Sequence, residues 1–274
     1  MKNILTRIII VFAALFMYSC QDVVDIPLNT EPPRLVIEAS INWQKGTSGS
    51  NQTIKLTTTT DYYSTTIPVV SGATVFVKNS ANVQFNFIET PNTGEYVCTN
   101  FVPVLNEVYT LNVVQNGQIY TASESLKSVA RINNVTQEIQ SGFGNNILKI
   151  NAFFNDPANE ENYYLFKYKF NKKPTPAYST TDDKFFQGNT FFSVTFQKDT
   201  APGDTVEITH FGISKEYYNY MNVLLAVAGS SNGGPFQTQP VKARGNIQNS
   251  SNPENYPFGY FRLSEMDSLT YTIQ

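Results

Sequence analysis

The sequence predicts a mainly β protein, with an N-terminal immunoglobulin- or transthyretin-like β-sandwich and a second β-rich domain that contains one amphipathic helix. Apolar and polar residues alternate from residue 35 to about residue 126, which is the period of half-buried strands. Asn, Gly and Pro residues cluster between these runs and supply turns. Apolar and aromatic residues recur at the i+3 and i+4 spacing of a helix after Ser214. With 41% hydrophobic and 15% charged residues, the chain can fill a sizeable core.

The first twenty residues predict export and a lipid anchor. Lys2 and Arg7 form a basic region, and the apolar run at 8–17 is too short to span a bilayer. It leads to Ser19-Cys20, a small residue directly before a cysteine, which is the pattern that a lipoprotein signal peptidase reads. We therefore expect residues 1–19 to be a lipoprotein signal peptide and Cys20 to carry the lipid. An ordinary secretory signal cut nearby is the alternative.

Residues 20–33 predict an extended tether, because three prolines fix φ and remove backbone donors. Two aspartates follow Cys20 and resemble a weak form of the surface-export signal of Bacteroidota lipoproteins. We expect a lipid-anchored protein of the outer membrane, exposed on the cell surface. An anchor that faces the periplasm is the alternative, and the lipid on Cys20 would be the contact with the membrane.

Residues 34–126 are predicted to form the sandwich domain. Alternating apolar residues predict strands near 35–41, 73–77, 83–87, 96–98 and 109–113. Asn116-Gly117 is a hairpin signal, because both residues readily adopt positive φ. Short strands at regular spacing without an intervening helix are typical of immunoglobulin-like and transthyretin-like sandwiches.

Residues 127–274 are predicted to form the second β-rich domain, entered through a linker at 123–131. Strands are predicted at 147–153, 163–170, 191–197, 205–211, 259–263 and 269–273, with a long loop at 172–190. Four aromatic residues of the second of these strands share a face and are assigned to the core: Tyr164, Phe166, Tyr168 and Phe170. The helix is predicted over 214–228, with Ser214 as its N-cap and Gly229 as its C-cap.

The charge and residue types exclude several classes of function. Nineteen basic and 22 acidic residues give a net charge of -3, so no basic surplus is present to neutralise phosphates and no nucleic acid is expected as a partner. One histidine, His210, and two cysteines, Cys20 and Cys98, exclude multi-His and Cys-cluster metal sites. We predict no catalytic residue, no cofactor and no metal, and we do not expect an enzyme.

Three groups of residues could in principle serve catalysis or metal binding, but the sequence favours structural roles for them. His210 is expected to be an ordinary half-exposed histidine, because no Gly-x-Ser-x-Gly elbow supplies a nucleophile for it. Asp156, Glu160 and Glu161 carry the oxygen ligands that calcium prefers, but their spacing lacks the EF-hand alternation and favours a solvated turn. Cys98 is expected to be a half-buried strand thiol.

Aromatic residues are the compositional excess that favours binding, since they make up 14% of the chain. Rings in loops are available to stack on a sugar or to enter a pocket of a partner, although some loop aromatics are buried anchors. The candidate interface residues are Tyr62, Tyr63, Tyr178, Phe185, Phe186, Phe236, Tyr256 and Phe258.

Short strings spread over nearly the whole mature chain carry a family resemblance. Besides Tyr18-Ser19-Cys20 and the acidic tether, the strings are Ser71-Gly72-Ala73-Thr74-Val75, Tyr109-Thr110-Leu111, Asn155-Asp156-Pro157, Glu160-Glu161-Asn162-Tyr163-Tyr164, Ile213-Ser214-Lys215-Glu216-Tyr217-Tyr218, Gly233-Gly234-Pro235-Phe236, Gly245-Asn246-Ile247 and Gly259-Tyr260-Phe261. In their order and spacing they resemble a family of Bacteroidota outer-membrane lipoproteins, the domain of unknown function DUF4249. Where related domains have a glycine before the Tyr-Thr-Leu strand, Asn106 stands here, and Asn also tolerates a left-handed turn. The resemblance implies a neighbour of TonB-dependent receptors, and it carries over no catalytic or ligand-binding residue.

The sequence and this resemblance together favour a lipid-anchored accessory protein that is a non-enzymatic partner of a TonB-dependent receptor and helps to capture or gate a ligand. In this interpretation the second domain, with the Ser214 helix and the loop at 233–236, faces the ligand or the barrel. The alternative is an independent cell-surface adhesin or glycan-binding lipoprotein. An enzyme that uses a carboxylate pair is the third hypothesis.

Overall fold

Strands dominate the protein, as the alternating sequence predicts. The computed structural model describes residues 32–61, 63–142, 145–229 and 243–274. The signal peptide at 1–19, Cys20 and the tether up to residue 31 lie outside the described residues. The elements in chain order are β1 (Leu35–Gln44), β2 (Gln52–Thr58), β3 (Thr74–Asn79), β4 (Gln84–Thr90), β5 (Glu95–Cys98), β6 (Val108–Gln115), β7 (Gln118–Ser125), β8 (Ile132–Gly142), β9 (Asn145–Asn155), β10 (Tyr163–Phe170), β11 (Ala177–Asp182), β12 (Thr190–Gln197), β13 (Thr205–Ile213), α1 (Lys215–Gly229), β14 (Gln248–Asn249) and β15 (Phe258–Thr272).

The first group of strands forms a sandwich around one apolar core. Strands β1, β2 and β5 lie in one layer, and β3, β6, β7 and β14 lie in the other. Strand β4 joins the layers, because Gln84 to Phe87 pair with β3 while Ile88 to Thr90 pair with β5. Buried side chains of both layers, such as Ile41, Leu56, Val77 and Leu111, meet in one cluster. This arrangement confirms the predicted β-sandwich.

Turns in this sandwich follow the residue types that the sequence supplies. Asn116 and Gly117 adopt positive φ of 49° and 73° between β6 and β7, which confirms the predicted hairpin. Asn106 has a φ of 62°, as its place in the turn requires. The Tyr109 hydroxyl stabilises the chain before this turn, because it donates to the Val102 carbonyl at 2.7 Å and accepts from the Val104 amide at 2.9 Å. Such a tyrosine corner recurs in immunoglobulin-like sandwiches.

The second group of strands encloses a separate core. Strands β11, β10, β13 and β15 lie side by side, and their buried face meets the three-stranded sheet β12-β9-β8. Tyr164, Phe166, Tyr168 and Phe170 of β10 all belong to this core, which confirms the predicted apolar face of that strand. Their neighbours include Phe154 from β9 and Ile208 from β13.

Strand β15 runs through both groups of strands. Its first nine residues pair in parallel with β1, from Val36 opposite Phe258 to Gln44 opposite Met266. Its last seven residues pair antiparallel with β13. The sequence predicted two strands here, and the structure corrects this to one continuous strand. Phe261 and Leu263 of β15 belong to the first core. The predicted domain boundary between residues 126 and 127 stays a prediction.

The connector after β7 is bonded to β15. Glu265 accepts a hydrogen bond from the Val129 amide at 3.0 Å and forms an ion pair with Lys45 at 2.6 Å. Asp267 accepts from the Ile132 amide at 2.8 Å. The predicted linker at 123–131 is therefore shorter than expected, since Ser123 to Ser125 belong to β7 and the following residues are held against a strand.

Several strands were not predicted from the sequence, among them β2, β8 and β11. The predicted loop at 172–190 contains β11, whose polar side chains hide a strand that pairs with β10. Strand β8 contains a bulge between Ile132 and Asn134, and most of its residues are polar, so few apolar residues indicate a strand there. In the described part of the chain, no helix has the length and apolarity needed to cross a membrane.

Candidate functional site

The candidate site lies along α1, the helix that covers the outer face of the sheet. Ser214 forms the predicted N-cap, since its hydroxyl accepts from the Tyr217 amide at 3.2 Å. Tyr217 and Met221 of the helix are buried against Phe211 of β13 and Tyr260 of β15. The apolar side of α1 is therefore fixed to the sheet, and its flanks border two cavities that we call the polar cleft and the apolar cavity.

The helix cap also reaches the first group of strands. The Ser214 hydroxyl donates to Oε2 of Glu124, in β7, at 2.8 Å. Burial raises the pKa of this carboxyl, and the hydrogen bond from Ser214 partly opposes that rise. The start of α1 is thus held by a carboxylate that is distant in the sequence.

The polar cleft lies at the N-terminal end of α1 and has a volume of about 340 Å³. Three of its side chains are engaged with one another: the Tyr163 hydroxyl donates to Glu161 at 2.5 Å, and Lys215 pairs with Glu161 at 3.6 Å. The hydrogen bond from Tyr163 is the main reason why the pKa of Glu161 lies below its usual value. The cleft is a polar recess in which the Tyr163 hydroxyl and the Lys215 amine already have an acceptor.

The apolar cavity follows on the flank of α1 and has a volume of about 380 Å³. It is lined by Glu216, Asn219, Tyr220, Val223, Ala243, Arg244, Gly245, Asn246 and Tyr260. Burial raises the pKa of Tyr220 to about 12 and also raises that of Tyr260, as expected for phenols in an apolar setting. Glu216 lines both recesses, so the two adjoin and together form what we call the α1 groove.

One arginine of the apolar cavity belongs to a cation–π stack. The Arg244 guanidinium lies 4.3 Å from the centre of the Tyr256 ring, and the Arg34 guanidinium lies 4.5 Å from the same ring. Within the described ranges, neither arginine has a carboxylate within 4 Å. Both cations thus contact the Tyr256 ring, and of the two only Arg244 lines the cavity.

A third arginine lies beneath α1. Arg262 of β15 is only 7% exposed, and its guanidinium lies 4.8 Å from the Phe211 ring and 5.3 Å from the Tyr217 ring. It donates to the Ser264 hydroxyl at 2.8 Å. Aromatic faces rather than a carboxylate accommodate this charge. Its place between two core residues, Phe261 and Leu263, gave no sign of this role in the sequence.

The predicted interface aromatics separate into exposed and buried residues. Phe185 is 97% exposed and Tyr63 is 80% exposed, as an interface role requires. Tyr178 is half-exposed in β11, and Phe258 is half-buried at the start of β15, so neither lies in the loop that the sequence predicted. Tyr256 is half-buried between the two arginines. Tyr62 and Phe236 lie outside the described residues.

Phe186 is buried, which corrects its assignment as a candidate interface residue. Its side chain is 6% exposed and stacks on Phe191 at 3.9 Å between ring centres. It also contacts Phe154 edge-on, at the margin of the second core. A turn brings Phe186 under the sheet while its neighbour Phe185 points to solvent, and the sequence contains no periodicity there from which to tell them apart.

His210 is a second correction, because it is fully buried rather than half-exposed. Its ring stacks on Phe166 at 4.1 Å and contacts Phe154 at 4.7 Å and Tyr164 at 4.8 Å. Burial lowers the pKa of the imidazole to about 3, so the residue is neutral at physiological pH. It is a core residue among aromatic rings.

The acidic cluster and Cys98 serve the fold. Asp156 is buried and accepts from the Tyr164 hydroxyl at 2.6 Å and the Gly188 amide at 3.0 Å, so the expected solvated turn is corrected at this residue. Across the described ranges, no three His, Cys, Asp or Glu side chains converge as a metal site would require. Cys98 is 1% exposed and more deeply buried than expected, and burial raises the pKa of its thiol.

The fold and the α1 groove define a mainly β sandwich protein with a helix-bordered recess. The chain belongs to the family described as "Domain of unknown function (DUF4249)", whose profile matches residues 21–270. No curated protein matches the sequence significantly.

Several solved structures resemble the fold at low identity. One is a two-domain fibronectin type III segment of chicken tenascin, at 12% identity and a TM-score of 0.21, covering 66% of this chain and 91% of that chain. A second is a cytokine receptor complex, at 8% identity and a TM-score of 0.25, covering 65% and 89%. A third is the chicken interferon gamma receptor alpha chain, at 9% identity and a TM-score of 0.15, covering 66% and 88%. At these scores the likenesses add nothing to the functional argument.

Proposed function

We propose that this protein is a lipid-anchored accessory protein of the outer membrane and a non-enzymatic partner of a TonB-dependent transporter, for which it captures or gates a ligand. The observation that carries the proposal is the α1 groove, in which a polar cleft and an apolar cavity adjoin at Glu216. Recesses that combine apolar walls with a few placed polar groups are typical binding sites.

The predicted anchor supports the proposed location. A basic region and an apolar run precede Ser19-Cys20, and the family match begins at residue 21, directly after the cysteine. A lipid on Cys20 would hold the chain at a membrane without a spanning segment. The tether would then let the β domains reach a neighbouring barrel.

The chemistry of the α1 groove supports binding rather than catalysis. Glu161 already accepts from Tyr163 and pairs with Lys215, so these three polar side chains of the cleft are engaged with one another. The single histidine is stacked in the second core, away from the residues that line the groove. A recess arranged in this way can select a ligand by shape and charge.

The proposal is tested by what co-purifies with the native protein. A tag at Gln274, which is exposed, would be used to isolate the protein from gently solubilised outer membranes, followed by mass spectrometry. We expect a TonB-dependent barrel in stoichiometric amount. Recovery of the lipoprotein alone would contradict the proposal. Cys20→Ala is the control for the anchor, since it should release the protein from the membrane.

An independent glycan-binding or adhesive role is the second candidate, and the outer face of β12 favours it. Phe192 and Phe196 are 37% and 54% exposed there, and Phe192 lies 5.2 Å from the Phe153 ring. Exposed rings on one face form a platform on which a sugar can stack. Glycan-array binding that is lost in Phe192→Ala/Phe196→Ala, and unaffected by deleting the receptor, would favour this role.

A further inference from the structure

The apolar cavity has both parts of a site for an amphiphilic molecule. Tyr220 and Val223 of α1 and Tyr260 of β15 provide apolar walls, and Arg244 provides a cation at the border. We infer that this cavity binds a small amphiphilic anion, with its apolar body against these three side chains and its acidic group at Arg244. The inference deepens the proposed function and rests on it, since it names the class of ligand that the accessory protein would capture.

The size and the walls of the cavity fit a small ligand. Its volume of about 380 Å³ lies in the lower part of the range of roughly 300–1,000 Å³ that ligand pockets occupy. Val223 lines the cavity and is 38% exposed, so its side chain presents apolar surface to a ligand. An apolar body that covered Val223 would remove this surface from water.

Arg244 is prepared to receive an anion. The guanidinium lies 4.3 Å from the centre of the Tyr256 ring, and this cation–π contact holds the charge at the border of the cavity. In the part of the chain that the structure describes, no carboxylate lies within 4 Å of it. A carboxylate or sulfonate would therefore gain charge-assisted hydrogen bonds without breaking an ion pair.

Glu216 sets the direction in which such a ligand would lie. This acid lines the cavity where it meets the polar cleft, and it does not pair with Arg244. It stands in the first turn of α1, where the helix dipole stabilises a negative side chain. An anionic group is repelled from Glu216, so the charge of the ligand belongs at Arg244 and its apolar body lies between the two.

Calorimetric titration of the full chain in detergent tests the inference with two matched probes. One probe is 4-phenylbutyrate, and the other is 4-phenylbutan-1-ol, which has the same apolar body without the charge; each is also titrated into detergent alone. We expect saturable binding of the acid that is roughly tenfold tighter than binding of the alcohol, as a charge-assisted hydrogen bond allows. Arg244→Gln should remove this difference in affinity, because it should weaken the binding of the acid and leave the binding of the alcohol unchanged.

Arg34→Gln is the matched control, because Arg34 contacts the same Tyr256 ring but does not line the cavity. It should leave the affinity for the acid unchanged. Val223→Trp fills the cavity and should weaken both probes, while circular dichroism melts confirm that each variant is folded.

Equal affinity of wild type and Arg244→Gln for the acid would overturn the inference, as would undiminished binding to Val223→Trp or no binding of the acid. These outcomes leave the transporter partnership standing if the barrel still co-purifies. Conversely, binding of the acid without a co-purifying barrel would support the ligand site and contradict the proposed transporter partnership.

Discussion

The Ser214 hydroxyl donates a 2.8 Å hydrogen bond to the Glu124 carboxylate, and this bond joins the first turn of α1 to the end of β7. The same hydroxyl accepts from the Tyr217 amide, so one side chain both caps the helix and ties it to a distant strand. The position of the α1 groove therefore depends on a residue of the first group of strands.

Loss of this cap should destabilise the protein. Ser214→Ala removes the acceptor for Tyr217 and the donor for Glu124, and we expect the free energy of unfolding to fall by about 1–2 kcal/mol. Ser214→Thr keeps both hydrogen-bonding functions and is the control. Urea denaturation at pH 7 measures both variants, and an Ala variant as stable as the Thr variant would contradict the described cap.

The pairing of β1 with β15 predicts a severe effect of Gly259→Ala. Gly259 has a φ of +97°, and an added Cβ would lie 2.1 Å from the Ile37 carbonyl oxygen, so the two strands would have to separate. Gly203 is a matched control, because its φ is +91° and a Cβ there meets nothing within 4 Å. We expect Gly203→Ala to cost about 1 kcal/mol and Gly259→Ala several times more. Similar melting temperatures for the two variants would count against the parallel pair.

The buried histidine predicts a specific dependence of stability on pH. The folded-state pKa of His210 is about 3, below its unfolded value of 6.5, so the unfolded chain binds a proton that the folded chain does not. The contribution of neutral His210 to the free energy of unfolding is therefore complete above pH 6.5. It is lost as the pH falls toward 3, by up to roughly 1.4 kcal/mol per pH unit. His210→Phe keeps a ring against Phe166 and should lose stability less steeply with acid. Parallel stability curves of the two proteins from pH 7.5 to 4 would show that His210 is not buried.

Substitution of two adjacent phenylalanines by alanine should change the stability of the protein to very different extents. Phe186 is 6% exposed and Phe185 is 97% exposed. We expect Phe186→Ala to lower the free energy of unfolding by about 3–5 kcal/mol, because it opens a cavity beside Phe154 and Phe191. Phe185→Ala should change it by less than about 0.5 kcal/mol. Denaturant titration compares the two variants, and equal losses would refute this assignment of the two rings.

Features that arise from neighbours in the sequence were predictable. The Asn116-Gly117 hairpin, the apolar face of β10 and the start of α1 at Ser214 each depend on a few consecutive residues, and each agrees with the structure. The period of two and the period of 3.6 are local signals, so they identify elements without knowledge of what those elements contact.

Features that arise from distant residues were not predictable. Lys45 and Glu265 pair across 220 residues beside the parallel strands β1 and β15, and no local pattern indicates that pairing. The burial of His210 depends on rings from β9 and β10, and the α1 groove depends on Arg244 and Tyr260 reaching the flank of the helix. Each of these requires the tertiary fold.

The central claim of the proposal is that the face of α1 at the apolar cavity meets the transporter. A photo-crosslinking amino acid at Val223, which lines the apolar cavity, would be compared in living cells with one at Ile139, which is 63% exposed on β8. We expect Val223 to capture a TonB-dependent barrel, identified by mass spectrometry, and Ile139 to capture none. Capture of the barrel from Ile139 but not from Val223, or from neither position, would contradict the account.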